Sequence, residues 1–500
     1  MAQTLSVTFK KIFKMSKKLY IFGIGGTGSR VLKSLTMLLA AGVEIKEYEI
    51  IPIIIDPDYA AADLTRTVEI MRAYCDIRES LEFKETSQNK FFQANINMNM
   101  LPNATLPLQG ANDDTFGDYI GYGDLHDPNK ALASMLFSKS NLSTRMNVGF
   151  KGNPNIGSVV LNQFPNSQEF KNIVGGFEDG DRVFIISSIF GGTGASGFPL
   201  LVKNLRAVDR TIGGHKVVQE APIGAITVLP YFRVLPPEQG RDSEIDSSTF
   251  ISKTKAALEY YNKNVNEPNV LYYVADKIAN QYRNVEGGTE QKNAAHIIEL
   301  ISALAIIDFM AIPDNQLKCK EGKPIQNIYK EYGSKGTTAP ETLVFGNLSD
   351  QTNKLIKKKL TQFVLFNKFM SEHMDDSINS QPWAKDLHYE ENYLNSSFYG
   401  SLSSLRGRMF EWLEEMEHNK RAFAPYEIDK NEHELFKFVN GVSPKKLWCR
   451  FDSNYALFDS YLNGRAKGFS VKAEGFQKQN FVELFYQVTK ELVEDKLNMK

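Results

Sequence analysis

The chain has 500 residues, 42% of them apolar, which exceeds what one compact core holds and implies about two or three packed units. Its 58 lysines and arginines nearly balance 59 aspartates and glutamates, so no overall field favours nucleic acid or an anionic membrane, and any anion site must be local. Cys75, Cys319 and Cys449 are too few and too scattered for a zinc site or a disulfide framework, as expected of a cytoplasmic protein.

Residues 1–17 are lysine-rich, but the apolar run that follows is too short for a signal peptide. They read as a flexible extension, with Met15 a candidate start. Five near-continuous apolar and β-branched runs follow, at residues 19–22, 50–55, 183–189, 223–229 and 270–274. Such runs, alternating with helical periodicity, predict an α/β fold with a mostly parallel sheet flanked by helices. Each run ends in polar or glycine-rich sequence: Gly23 onward, Asp56-Pro57-Asp58, Gly191 onward, Pro230-Tyr231-Phe232, and Asp276-Lys277. Open parallel sheets take ligands at the carboxyl ends of their strands, so five loops are expected at one site.

Residues 58–149 lose this pattern, with an asparagine-rich piece at 95–103 and a glycine/aspartate-rich piece at 117–127. They read as an insertion, about 68–148, that carries partner contacts. The longest apolar stretch, residues 297–310, contains Glu299, Ser302 and Asp308. It is shorter than the roughly 20 residues of a membrane span, so it reads as a buried helix. After Pro313 the alternation fades, and residues 350–374, 401–422 and 474–497 look helical. The chain thus divides into the extension, a nucleotide-binding domain over 18–312, and a helix-rich carboxyl-terminal unit over 313–500.

Two glycine segments carry the chemistry: Gly23-Ile24-Gly25-Gly26-Thr27-Gly28-Ser29 and Gly191-Gly192-Thr193-Gly194-Ala195-Ser196-Gly197. Each follows a strand and opens a helix. Glycine permits positive φ and lets backbone amides approach an anion, and the helix adds the positive end of its dipole. One such segment also occurs in plain tight turns; two placed alike point to phosphate. Competing chemistries lack their residues. Residues 152–158 have the glycine spacing of a Walker loop without its lysine. Residues 194–198 miss the nucleophile elbow at the last position. The seven histidines show no metal-binding spacing.

The second segment resembles the signature loop of the tubulin/FtsZ superfamily, which wraps the nucleotide phosphates; Phe190 replaces its first glycine. Further resemblances follow in that family's order. Residues 23–29 resemble the first phosphate loop, and Asp56 the polar residue after the second strand. Gly152-Asn153-Pro154-Asn155-Ile156-Gly157 is similar to the loop sensing the γ-phosphate. Pro230-Tyr231-Phe232 with Glu238 and Arg241 resembles the ribose loop. Val274-Ala275-Asp276-Lys277 resembles the loop that carries the base-reading asparagine, here Ala275. Asn293 and His296 fall where the family's central helix meets the base, with helix capping and core packing as their alternative roles.

The resemblance covers residues 18–310 and is to divergent bacterial tubulin-like proteins rather than to FtsZ or eukaryotic tubulin. It implies GTP or GDP, with Mg2+, bound by these loops at a head-to-tail junction between copies that assemble into filaments or oligomers. Hydrolysis is then slow or assembly-dependent. The family's catalytic loop has no clear copy; Asn347 and Asp350 are the candidates, Asp350 being equally an ordinary first-turn acid. A second reading is a non-hydrolysing, nucleotide-dependent scaffold that docks partner proteins through its carboxyl-terminal helices. A third is an ATP-dependent adenylating enzyme of the ubiquitin-activating type, whose ATP loop residues 23–30 and Asp56-Pro57-Asp58 also resemble. That family offers no counterpart of residues 191–196.

Overall fold

A computed structural model describes residues 16–83, 87–110, 114–236, 247–283, 285, 287–332, 341–430, 433–445, 453–469 and 476–499. The five apolar runs form parallel strands Lys17–Ile24, Tyr48–Ile55, Arg182–Ser188, Ile223–Val228 and Val270–Val274. Two short edge strands, Asn95–Ile96 beside Tyr48–Ile55 and Ile328–Glu331 beside Val270–Val274, complete a seven-stranded sheet. Every neighbouring pair in it is parallel. Arg182–Ser188 and Ile223–Val228 are buried at every position, the signature of a sheet covered on both faces.

Strand order determines where a ligand can enter. From the central Lys17–Ile24 the chain moves to Tyr48–Ile55 on one side, then returns to Arg182–Ser188 on the other. The crevice above such a reversal is the topological switch point of an open parallel sheet. Gly23 pairs with Ile54 and Ile186 in register, so the carboxyl ends of the three strands lie level. Both glycine segments leave from this edge.

The helices Gly25–Ala40, Ala62–Glu79 and Ile297–Ala311 pack together, and Gly192–Arg206 packs on Pro154–Leu161. Ile297–Ala311 is apolar on all sides and almost wholly buried, as its composition predicts. The segment expected to be an insertion, about 68–148, contributes the later part of Ala62–Glu79, the edge strand Asn95–Ile96, and short helices including Asp127–Leu136.

Beyond residue 313 the three expected helices are Asp350–Glu372, Ser397–Glu417 and Gln477–Leu497, joined by Asn454–Ala466. Phe369, Phe458, Phe481 and Phe485 interlock at the centre of this bundle. Ser397–Glu417 leaves it to lie along Ala62–Glu79, and its Trp412 indole donates to Ser34 Oγ at 3.2 Å. Among the described residues, no helix is long and apolar enough to cross a membrane.

Candidate functional site

A cavity of about 570 Å³ opens at the carboxyl ends of the central strands. Three stretches distant in sequence meet there: Gly25-Gly26-Thr27, residues 148–152, and Gly191-Gly192-Thr193-Gly194. Thr27 and Thr193 line the same space. A Cβ built on Gly25, whose φ is +72°, would lie 3.4 Å from Thr193 Cβ and 3.7 Å from the Gly194 amide nitrogen. One built on Gly192 would lie 3.1 Å from the amide nitrogens of both Gly152 and Asn153. The loops are therefore in backbone contact, and the two helices that leave them, Gly25–Ala40 and Gly192–Arg206, begin at the cavity wall.

Other members of the glycine segments build the loops from behind. Gly28 packs backbone to backbone on Gly23, and Gly157 packs on the Ser196 hydroxyl. Ser29 Oγ donates to Gly25 O at 3.5 Å and Ser196 Oγ to Gly192 O at 2.7 Å, so each hydroxyl tightens the first turn of its helix. Ala195 is buried in the same turn, and its carbonyl accepts from the Tyr261 hydroxyl at 3.2 Å. The Asn153 amide donates to Phe150 O at 2.7 Å, closing the third loop. Of the residues expected to touch a ligand, Gly25, Gly26, Thr27, Asp56, Gly152, Gly191, Gly192, Thr193, Gly194 and Asn293 line the cavity. Gly23, Gly28, Ser29, Asn153, Ala195 and Ser196 support it instead. Glu238 and Arg241 lie outside the described residues.

The residues expected to meet the base divide. Asn293 lines the cavity, whereas His296 is fully buried and caps Ile297–Ala311. Its Nδ1 accepts from the Ile298 amide at 3.1 Å, and its own amide donates to Glu299 Oε2 at 3.1 Å. Burial, with the nearby Arg30 and Arg421 charges, pushes the imidazole down to about 3, so it is neutral. Asp276 does not reach the cavity: both its oxygens accept from Arg421 Nε, at 3.0 and 2.9 Å. That pair pins the expected base loop to the carboxyl-terminal unit.

Beneath the cavity lies a buried ion network that no motif announces. Arg30 donates to Glu299 Oε1 at 2.5 Å, Asp63 Oδ2 at 2.9 Å and the Tyr231 hydroxyl at 2.9 Å. The Tyr231 hydroxyl in turn donates to Glu299 at 2.9 Å. Asp63 also accepts from Arg66 at 2.8 Å and from Asn293 Nδ2 at 3.3 Å. Arg66 then donates to Asn293 O at 2.9 Å and to Glu415 at 2.5 Å. Glu415 also pairs with Lys33 at 3.2 Å. Arg30, Arg66 and Lys33 are thus each held by carboxylates, Asp63, Glu299, Glu415 and, from Arg66 at 3.3 Å, Glu411.

Two acids stand at the cavity edge. Asp56 is buried and pushed up to about 7, first by burial and then by the like charges of Asp58 and Asp63, against the Asp58 amide that donates to it at 3.1 Å. Burial also raises Asp58. Its Oδ2 accepts from the Gly288 amide at 2.6 Å, while its Oδ1 has no hydrogen-bond partner among the described residues. Because the folded pKa of Asp56 exceeds its unfolded value, the stability this group contributes is present below about pH 4 and lost as pH rises towards about 7. Asp56→Asn is therefore expected to flatten the acid-side slope and to stabilise the ligand-free protein at pH 8, by up to about 4 kcal/mol. Thermal melts from pH 5 to 8 without divalent ions read this directly; parallel curves for the two proteins would exclude it.

Asn347 and Asp350 lie elsewhere. Asn347 Oδ1 accepts from the Val344 amide at 2.8 Å, and Asp350 sits in the first turn of Asp350–Glu372. The next residue, Gln351, reaches Asp308 at 3.5 Å, near the far end of Ile297–Ala311. At 1.5 Å per residue, that is roughly 18 Å along the helix from His296.

No family model and no curated protein sequence matches the chain. Among solved structures it is similar to CetZ from Methanosaeta thermophila strain DSM 6194, at 14% identity and a TM-score of 0.29, over 59% of this chain and 54% of that one. It is also similar to the GTPgS bound protofilament of CetZ2 from Haloferax volcanii, at 12% identity and a TM-score of 0.30, over 59% and 58%. A third is the GDP bound monomer of CetZ1 from Haloferax volcanii, at 13% identity and a TM-score of 0.25, over 52% and 51%. The chain thus spans little more than half the length of the structures it matches. The likeness is distant, and the site rests on its own geometry.

Proposed function

We propose that the chain binds a guanine nucleotide, GTP or GDP, with magnesium in this cavity, and that copies assemble head to tail. The observation that carries the reading is the meeting of Gly25-Gly26-Thr27, Gly152 and Gly191-Gly192-Thr193-Gly194 around one space at the switch point of the sheet. Backbone amides and two helix amino termini there suit a run of phosphates. A cavity of about 570 Å³ lies within the range of cofactor sites. Guanine is the base implied by the resemblance to the tubulin/FtsZ order of loops, and Asn293 is the side chain offered to it.

Asp56 and Asp58 fit a magnesium ion that also takes phosphate oxygens and water, because both are hard oxygen donors and one oxygen of Asp58 has no hydrogen-bond partner among the described residues. When bound, the ion would neutralise clustered phosphate charge. The two carboxylates would hold it at the strand end, and Asp56 would ionise fully beside it.

Asn347 and Asp350, near the far end of the central helix, serve hydrolysis only if they reach the cavity of the next copy, as a heterologous contact would allow. A non-hydrolysing scaffold is the second reading, favoured because the Asn347 amide oxygen is spent on its own turn.

Calorimetric titration with GTP, GDP and ATP tests the core claim, which fails if no nucleotide binds. Light scattering with GTP against GDP, and phosphate release at several protein concentrations, then separate the readings. A rate per chain that rises with concentration supports assembly-activated hydrolysis, whereas tight GTP binding with no release supports the scaffold. Exchange of pyrophosphate into ATP would support the adenylating enzyme.

A further inference from the structure

We propose that the exposed apolar stripe of helix Asp127–Leu136 seats on Ile325 and Tyr329, at the opposite end of the sheet, of a second copy of this chain. The inference rests on the head-to-tail reading above and names the two surfaces that meet in it.

Three observations carry it. The five most exposed large apolar side chains among the described residues are Leu132, Met135, Leu136, Ile325 and Tyr329, at 56% to 84%, against 47% for the next. Leu132, Met135 and Leu136 stand at i, i+3 and i+4, on one face of their helix. The opposite face is the one that touches the protein: the Ser134 and Tyr122 hydroxyls share a hydrogen bond at 2.8 Å, and Lys130 Nζ lies 5.2 Å from the centre of the Tyr122 ring. A surface helix ordinarily turns its apolar face inward; this one turns it to solvent, the mark of an interaction surface.

The two patches also lie at opposite ends of the sheet. Thr115 bridges Arg145, and the Phe116 amide donates to Thr144 O at 2.9 Å, so the piece that carries the helix stands on the chain leading to Val148 and Gly149 at the cavity wall. That is the carboxyl end of the strands. Ile325 donates its amide to Lys318 O at 2.9 Å, and the Ile328 amide donates to Asn269 O at 2.8 Å, directly before Val270–Val274 begins. Tyr329 pairs with Leu271 beside it, so this second patch is at the amino end. Two different surfaces at opposite ends make a heterologous contact, whereas pairing of the helix with its own copy would leave Ile325 uncovered.

Finally, the surroundings differ in charge. Residues 118–136 carry Asp118, Asp124 and Asp127 against Lys130, with Lys139 the next cation; residues 317–325 carry Lys318, Lys320 and Lys323 against Glu321. The three aspartates and the three lysines named in these stretches are exposed. Opposite signs steer one end towards the other.

Sedimentation with GTPγS compares wild type, a helix variant (Leu132→Gln with Met135→Gln) and Ile325→Gln. Each variant should need at least about tenfold more protein to associate. Each should melt within about 2 °C of wild type, because these side chains are exposed in the single chain. An equimolar mixture of the two variants should regain association but stop at two chains, since each supplies one intact end. Loss in the helix variant with wild-type behaviour of Ile325→Gln would overturn the proposal in favour of a closed dimer through the helix alone. Wild-type association of both variants would overturn it too, leaving the stripe to a different protein. Failure of wild type to associate would instead overturn the head-to-tail reading, and this contact with it.

Discussion

Arg30→Met is expected to lower the free energy of unfolding by about 3–5 kcal/mol, the cost of stranding buried carboxylates. Arg30 is fully buried and held in its charged form by Glu299, Asp63 and Tyr231. Methionine fills similar volume but leaves Glu299, itself without solvent exposure, with only the Tyr231 hydroxyl and the His296 amide. Arg30→Met combined with Glu299→Gln should recover about 1–3 kcal/mol, because the second change removes the stranded charge. Urea unfolding of both variants measures this. A single-mutant loss under about 1 kcal/mol, or strict additivity in the pair, would show that the network does not hold the floor together.

Gly194→Ala is expected to cost about 1–3 kcal/mol by overpacking and to weaken nucleotide binding by about 100-fold. The added Cβ would lie 2.6 Å from Ser188 O and 2.8 Å from Ser188 N, both backbone atoms of the strand end, which cannot rotate away. Helix Gly192–Arg206 must then retreat from the sheet and carry its amides off the cavity wall, where the phosphates are proposed to sit. Gly26→Ala is the matched control: its nearest neighbour would be Arg30 Nη1 at 3.4 Å, and alanine favours the helix. Unfolding and calorimetry on the pair decide the matter. Similar stability losses at positions 26 and 194 would mean that steric contact with the strand is not what glycine provides.

The sheet was legible in the sequence wherever a strand is buried on both faces. Runs such as Val183-Phe184-Ile185-Ile186 have little other use, and the apolar stretch from Ile297 is a helix with no exposed side to mark. Strands with an open face escaped. Ile328-Tyr329-Lys330-Glu331 alternates between half-buried and exposed, and Asn95–Ile96 is too short for any pattern. The small parallel pair Phe232–Val234 and Asn280–Tyr282 escaped for the same reason.

The glycine loops that meet at the cavity were legible because glycine is needed for close backbone approach wherever it falls in the chain. The floor was not, because its partners are tertiary: Arg30 meets Glu299 269 residues later, and Lys33 meets Glu415 382 residues later. Nothing local in the chain marks either pair. The spacing around the central helix identified Asn293 and His296 together, but capping chemistry took His296 because the helix start lies one residue beyond it.

Glu415 has a mechanical meaning. It rides on Ser397–Glu417, yet one oxygen accepts from the Ala295 amide at 2.8 Å, and the carboxylate clasps Arg66, which grips the carbonyl of Asn293. A partner seizing that long helix holds a lever one side chain in length: tilting it drags the segment that presents Asn293. Cut after residue 312, the amino-terminal half would lose this counterweight to Lys33 and Arg66, so the bundle is structural ballast for the pocket as well as a handle on it.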